Sequence, residues 1–419
     1  MITKIEARNY KCLRATSQRI RPFQVLVGPN ASGKSTFFDS VLFLSDLLAT
    51  DLEQAVRSRA RTVQELTWGA EGTRFDVAVE LRLPTPVRDN GAGSFTHCRY
   101  EVAVDTHPQE GSLRILTENF FLLKEPRPNA TGQGVLELFP LEPASPAPIV
   151  LEQGKHTPKG WRKVISRKAE GTSYFRSEST LWNFPMKLAP LKPSLGQVPE
   201  EERFGAANWA KQVLSGNVRA LALDSRAMRE PCPPDVPRTY LADGSNLPIV
   251  LKDLVEPESV AARRWVEHLR TALPRLRGVT VAQRESDNHP YLVAEFAGGL
   301  RVPSWLLSDG TLRLFALTLL AYLPPAHQHV YLIEEPENGI HPRAVETVYQ
   351  SLSSVYAGQV LLASHSPLLL GLASLDDLLC FAQAPSGATA IVSGSAHPAL
   401  VNWQRETPLE VLYAAGVLG

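Results

Sequence analysis

A chain of 419 residues with 44% hydrophobic content can build two to three domain-sized units, or one large domain with an insertion. Its 43 basic and 43 acidic residues cancel, which excludes a surface coated in positive charge but not a single basic face. The longest apolar stretches, such as 314–323, fall short of the roughly 20 residues that span a bilayer.

The opening Met1-Ile2-Thr3-Lys4 lacks the apolar core of a secretory signal. Cys12, Cys98, Cys232 and Cys380 form no CxxC pair, so no zinc site is signalled. A cytoplasmic setting without membrane contact is expected.

In chain order, residues 2–7 and 18–21 read as short strands. Phe23-Gln24-Val25-Leu26-Val27 reads as a buried strand running into a glycine-rich turn. Phe37, Phe38, Val41, Leu42 and Leu48 recur at helical spacing over 35–48. Residues 74–83, 97–104 and 113–122 alternate apolar and polar, which predicts a flanking antiparallel sheet. Six prolines between 126 and 148 exclude a long helix there. Residues 155–168 are locally basic, and 204–221 reads as one helix with Trp209, Val213 and Leu214 on one face. A second proline cluster spans 231–237. Residues 125–240 are therefore expected as an insertion or a helical and irregular lobe between 1–124 and 241–419. No heptad pattern persists, so no long coiled coil is expected.

Beyond 240, residues 246–273 read as helical with a break near Pro257. A small sheet over 279–283, 291–297 and 300–302 turns at Gly298-Gly299. A helix from Thr311, a strand at 330–333, a helix from Pro342 and a strand at 360–363 then alternate. That order implies an α/β fold with a mostly parallel sheet under helices. Two further strands, 378–383 and 388–392, and a short helix follow.

Gly28-Pro29-Asn30-Ala31-Ser32-Gly33-Lys34-Ser35-Thr36 matches GxxxxGK[ST] between a hydrophobic strand and an amphipathic helix. Glycines let the backbone wrap a triphosphate, and the following helix adds its positive end. Gly28, Asn30, Ser32, Gly33, Lys34, Ser35 and Thr36 are thus candidates for binding ATP. Lys34 brings charge to the β- and γ-phosphates, and the Ser35 hydroxyl is a candidate for Mg²⁺. Val330-Tyr331-Leu332-Ile333-Glu334-Glu335-Pro336 carries two carboxylates to the end of a buried strand, where ligands of a parallel sheet gather. Glu334 is expected to hold Mg²⁺ through water, and Glu335 to polarise the attacking water.

Leu307-Ser308-Asp309-Gly310-Thr311 combines a hydroxyl, a glycine and a helix start, an anion-binding end. It resembles the signature loop of ABC ATPases, usually LSGGQ. The resemblance implies that Ser308 and Gly310 cap a γ-phosphate bound by the opposite subunit of a dimer. Asp309 and Thr311 depart from that form, but LSDGT-like forms look normal for one branch of the class. Ala363-Ser364-His365-Ser366-Pro367 resembles the switch-histidine segment of the class, which implies that His365 contacts the γ-phosphate. Residues 337–342 resemble the D-loop, which runs along the dimer seam.

The order of these motifs resembles the RecF/SMC/OLD-like branch of ABC ATPases, as do Ile5-Glu6-Ala7-Arg8-Asn9-Tyr10-Lys11-Cys12-Leu13 and Asp243-Gly244-Ser245-Asn246-Leu247. The resemblance covers about 1–120 and 240–395 and leaves the middle uncovered. It implies an ABC-ATPase head that hydrolyses ATP with Mg²⁺ as an ATP-sandwiched homodimer. The expected role is nucleic-acid maintenance or anti-phage defence, with DNA and an effector protein (nuclease or toxin) as candidate partners. No Q-loop glutamine is assigned; Gln64 and Gln133 are the candidates. Glu334 stands where aspartate is usual. The residues after Pro367 are too few for the nuclease domain fused to OLD-type proteins.

Two alternatives compete. A transporter nucleotide-binding subunit would carry Asp-Glu before Pro-Thr and a shorter middle. A nucleotide-gated scaffold with little hydrolysis is not favoured, because both Lys34 and Glu335 are present. Candidate DNA contacts are Lys155, Lys159, Arg162, Lys163, Arg167 and Lys168 around Trp161, and Arg57, Arg59 and Arg61.

Overall fold

The computed structural model describes residues 1–125, 147–152, 154–254, 259–325, 329–401 and 409–414. The prolines from 126 to 146, Gln133 and the expected break at Pro257 lie outside the described residues. The first three strands are β1 (Ile2–Tyr10), β2 (Leu13–Arg19) and β3 (Phe23–Val27), followed by helix α1 (Lys34–Ala49). Next come β4 (Arg74–Arg82), β5 (His97–Thr106), β6 (Leu113–Leu123), β7 (Trp161–Arg167), β8 (Thr172–Arg176) and β9 (Asn183–Lys187). Helix α2 (Gly205–Gly216) and strand β10 (Val218–Leu221) close the middle of the chain.

The last third has helices α3 (Leu247–Leu254) and α4 (Val260–Ala272), then strands β11 (Leu276–Gln283), β12 (Pro290–Phe296) and β13 (Leu300–Pro303). Helix α5 (Asp309–Leu319), strand β14 (Val330–Glu334), helix α6 (Pro342–Ser353) and strand β15 (Gln359–Ser364) follow. Strands β16 (Leu378–Gln383) and β17 (Thr389–Ser393) complete the sheets.

These strands form three sheets. An antiparallel sheet runs β2-β1-β4-β5-β6-β7-β8-β9, a mostly parallel sheet runs β10-β14-β15-β3-β16-β17, and β11-β12-β13 form a small third sheet. In the second sheet only β17 is antiparallel to its neighbour. Its strands are buried on both faces, and side-chain alternation sorts them. Leu26, Leu332, Leu361, Leu379 and Phe381 pack with α1 and the antiparallel sheet. Val25, Val27, Tyr331, Ile333, Leu362 and Cys380 join the opposite cluster under α4, α5 and α6. Each fully buried Leu, Ile or Phe contributes about 1.5–3 kcal/mol. Between these two layers the ends of β3, β14 and β15 lie side by side.

Two elements differ from the sequence reading. The expected helix over 204–221 stops at Gly216, where Asn217 caps it by donating to the Val213 carbonyl. Val218–Leu221 then pair in parallel with Val330–Ile333 as the edge strand of the second sheet. The second strand starts earlier than expected, at Leu13. A tight reversal with positive φ at Asn9 and Lys11 pairs Tyr10 with Leu13. The described part of 125–240 is built into the two large sheets. It supplies β7, β8 and β9 to the antiparallel sheet and β10 to the parallel one.

The outer face of the antiparallel sheet is charged but closed to water. Arg99 is fully buried and donates to Glu101 at 2.7 Å, to Glu80 at 3.1 Å and to Glu6. Lys4 pairs with Glu6 at 3.0 Å. These cations hold the Glu6 carboxyl down at about 2 against the opposing effect of burial. Residues 149–151 cover the cluster: the Ile149 carbonyl accepts from Arg99 at 2.8 Å, and the Leu151 N–H donates to Glu101 at 2.6 Å.

Candidate active site

The phosphate loop leaves the end of β3 and enters α1. Gly28 has φ 153°, and an added Cβ would lie 2.2 Å from the Phe381 carbonyl oxygen of β16. Gly33 has φ 100°, and an added Cβ would lie 2.0 Å from the Thr389 hydroxyl. Both positions require glycine, for backbone angle and for space. The Ser32 side chain is buried and its hydroxyl has no partner among the described residues. The Lys34 ammonium donates to the Gly28 and Pro29 carbonyls at 2.7 and 2.9 Å. Burial pulls its pKa down, while Glu334 and Glu335 pull it up.

The two carboxylates arrive on β14, next but one to β3. The Ser35 hydroxyl donates to Glu334 Oε2 at 3.0 Å, so the two expected metal-binding groups touch. Glu335 sits at φ 47°, a left-handed conformation that costs a non-glycine residue about 1 kcal/mol or more. Its N–H donates to the Ala363 carbonyl at 2.8 Å, which fixes the turn. Its carboxylate meets His365 Nδ1 at 3.1 Å and accepts from Asn338 Nδ2. Behind the histidine, the Ser364 hydroxyl donates to Glu337 at 2.5 Å and accepts from the Ser366 N–H at 2.9 Å.

One cavity is lined by Asn30, Ser32, Gly33, Lys34, Ser35, Thr36, Glu334, Glu335 and His365 together with Cys12. Its donor set suits a polyanion and a hard cation. Backbone amides, a lysine and an orphaned buried hydroxyl lie on one side, with a hydroxyl touching a carboxylate on the other.

Ser308 and Gly310 are not in that cavity. With Asp309 and Thr311 they line a second one, with Arg229, Gly339, Ile340, His341 and Arg343. Ser308 caps α5 by accepting from the Thr311 N–H at 3.2 Å. An added Cβ at Gly310 would lie 2.5 Å from the Gly339 carbonyl oxygen, so the signature and D-loop backbones are in direct contact.

The expected basic runs are largely committed within the fold. Arg167 is buried and donates to the Lys192 and Ala189 carbonyls at 2.5 and 2.8 Å. Arg162 donates to the carbonyls of Ser177, at 3.0 Å, and Thr180. Arg59 joins Asp39 at 2.6 Å and Asp46 at 2.7 Å, and Arg57 pairs with Glu53 at 2.6 Å.

Sequence reasoning also missed several groups. Asn338 on the Glu335 carboxylate was legible as part of the D-loop. Tyr413, whose hydroxyl donates to the Gly28 carbonyl at 3.0 Å, carries no signal in its neighbourhood. Arg229 lies in the proline-rich middle. Gln64 is exposed on a short 3₁₀ turn and does not line the phosphate-loop cavity.

A family model described as "AAA domain, putative AbiEii toxin, Type IV TA system" matches residues 257–371. That span holds the signature, the carboxylate pair and the histidine. The structure is similar to an SmcHead bound to the C-winged helix domain of ScpA, with TM-score 0.53 and 13% identity over 93% of this chain and 96% of that one. It is also similar to an Smc head with an extended coiled coil, bound to the C-terminal domain of ScpA derived from Pyrococcus furiosus. There the TM-score is 0.51 and the identity 12%, over 93% of this chain and 95% of that one. No curated protein matches the chain. Among the described residues no helix is long and apolar enough to cross a membrane.

Proposed function

We propose that this chain, an ABC-type ATPase of the SMC/RecF-like branch, binds and hydrolyses ATP as a homodimer in which each phosphate loop is sealed by the partner's signature loop. One observation carries the reading. Lys34, Ser35, Glu334, Glu335 and His365 converge on one cavity, whereas Ser308 and Gly310 open into another. A single copy then lacks half of the site, and a second copy related by a two-fold axis supplies it.

The phosphate-loop amides and Lys34 hold the triphosphate. Mg²⁺ fits Ser35 and Glu334, where it would neutralise charge developing on the phosphoryl oxygens. Glu335 orients and polarises the attacking water. Asn338 and His365 hold the Glu335 carboxylate in place through the contacts above. The strained turn at Glu335 supports this role, because such backbone persists where the surrounding structure over-determines it.

Glu335→Gln retains the shape and removes the base. With ATP and Mg²⁺ this variant is expected to elute as a stable dimer on gel filtration. A monomer under those conditions refutes the sandwich.

A polyanionic partner is a second reading, favoured by the outer strands of the antiparallel sheet. Lys168 and Arg176 both lie against the half-buried Tyr174 ring, at 5.2 and 5.5 Å. Cations interleaved with aromatic rings suit a nucleic-acid strand. Binding of a labelled DNA that weakens steeply with salt supports DNA as partner. Absence of binding at low salt directs attention to a protein effector, a nuclease or toxin. The ScpA-bound heads and the toxin-system family description support that role.

A further inference from the structure

Asp309 poses an electrostatic problem. It stands where LSGGQ has glycine, in the first turn of α5. A helix N-terminus carries about +0.5 charge, and a carboxylate there reverses the sign presented to an approaching anion. Its side chain is 62% exposed, on the side of the cavity that Ser308 and Gly310 line. Taken alone, this loop repels the triphosphate it is expected to cap.

Arg229 removes the problem. Its guanidinium donates to the Leu307 carbonyl through Nε at 3.2 Å and Nη2 at 3.0 Å, and Nη2 also reaches the Asp309 carboxylate. The backbone that carries it is tied down as well. The Ser304 hydroxyl donates to the Arg229 carbonyl at 2.9 Å, and Asp224 caps the short helix Ser225–Arg229. Arg313 completes the frame by donating to the Leu223 carbonyl at 3.1 Å and the Asn338 carbonyl at 3.3 Å. The planar fork of arginine suits this double task of holding a carbonyl and a carboxylate together.

We propose that Arg229 is the positioning residue of the signature loop: it fixes the loop through the Leu307 carbonyl and cancels Asp309, so that the loop accepts the triphosphate held by a second copy of this chain. The proposal rests on the sandwich reading and adds to it a residue from outside the recognised motifs.

The test uses the full chain in the Glu335→Gln background with ATP and Mg²⁺. The dimer dissociation constant is measured by sedimentation at low and high salt. Arg229→Gln weakens the dimer by about tenfold or more at low salt, and the penalty shrinks as salt screens Asp309. Adding Asp309→Asn to Arg229→Gln restores most of the loss. Asp309→Asn alone tightens the dimer, a second arm that does not depend on the Arg229 variant folding. An Arg229→Gln dimer as tight as its parent overturns the proposal and leaves the sandwich standing. So does a loss that Asp309→Asn fails to repair, or a dimer weakened by Asp309→Asn alone. If the Glu335→Gln parent stays monomeric, the sandwich reading fails and the proposal falls with it.

Discussion

Replacing Gly310 with alanine separates stability from turnover. The added Cβ would lie 2.5 Å from the Gly339 carbonyl oxygen, where ordinary contact begins at 3.4 Å. The signature and D-loop backbones must therefore part by about 0.9 Å. Overpacking of this kind costs about 1–3 kcal/mol. The φ at Gly310 is not positive, so alanine fits its backbone and returns about 0.5–1 kcal/mol through helix propensity. The net loss is about 0–2.5 kcal/mol, a fall of a few degrees in melting temperature. Turnover is far more sensitive, because a misplacement of about 1 Å in a positioned group can cost about a hundredfold. Steady-state phosphate release and a thermal melt on the same preparation measure both quantities. Phosphate release within threefold of the parent would show that the two loops have room to spare, and the packing argument would be wrong.

Lys34→Ala is expected to lower ATP affinity by about a hundredfold or more, read by calorimetric titration; unchanged affinity would remove the phosphate loop from the site. Arg99→Met leaves Glu6, Glu80 and Glu101 without their shared cation. The expected loss is about 3–5 kcal/mol in denaturant unfolding, and a loss under about 1 kcal/mol contradicts the network. Glu178 accepts from the Ala206 and Ala207 N–H groups, both at 2.9 Å, yet burial pushes its carboxyl up to about 7 from an ordinary 4.5. The folded state then holds that proton more tightly than the unfolded chain. The stabilisation is complete below about pH 4.5 and is lost as pH rises through about 7, by about 3 kcal/mol at most. Glu178→Gln should remove that slope, and a variant with the same pH profile as its parent refutes the assignment.

The phosphate loop, the carboxylate strand and the histidine segment were legible because each couples a short motif to a buried strand. Phe23–Val27 and Leu378–Gln383 were read residue for residue, since both are apolar runs bounded by turns. Strand β10 was not legible. Its four residues continue the apolar rhythm of α2, and only pairing with β14 distinguishes strand from helix there. The alternation of Lys4, Glu6, Glu80, Arg99 and Glu101 looks like a solvent face. It is buried because residues 149–151, distant in sequence, lie across it. Trp161 and Arg162 likewise read as a basic surface segment until the strand pairs of β7 are known. Arg229 could not be read from its surroundings, because its partners are 78 and 80 residues away.

Strand β10 has a practical consequence for dissecting the molecule. It comes from the part of the chain between the recognised motifs, yet it hydrogen-bonds along the strand that ends in Glu334. Excising the middle as a removable cassette would strip the outermost strand from the parallel sheet and lay bare an edge beside the carboxylates. By the same connection, the middle of the chain is tied to the strand that leads directly into the turn carrying Glu335.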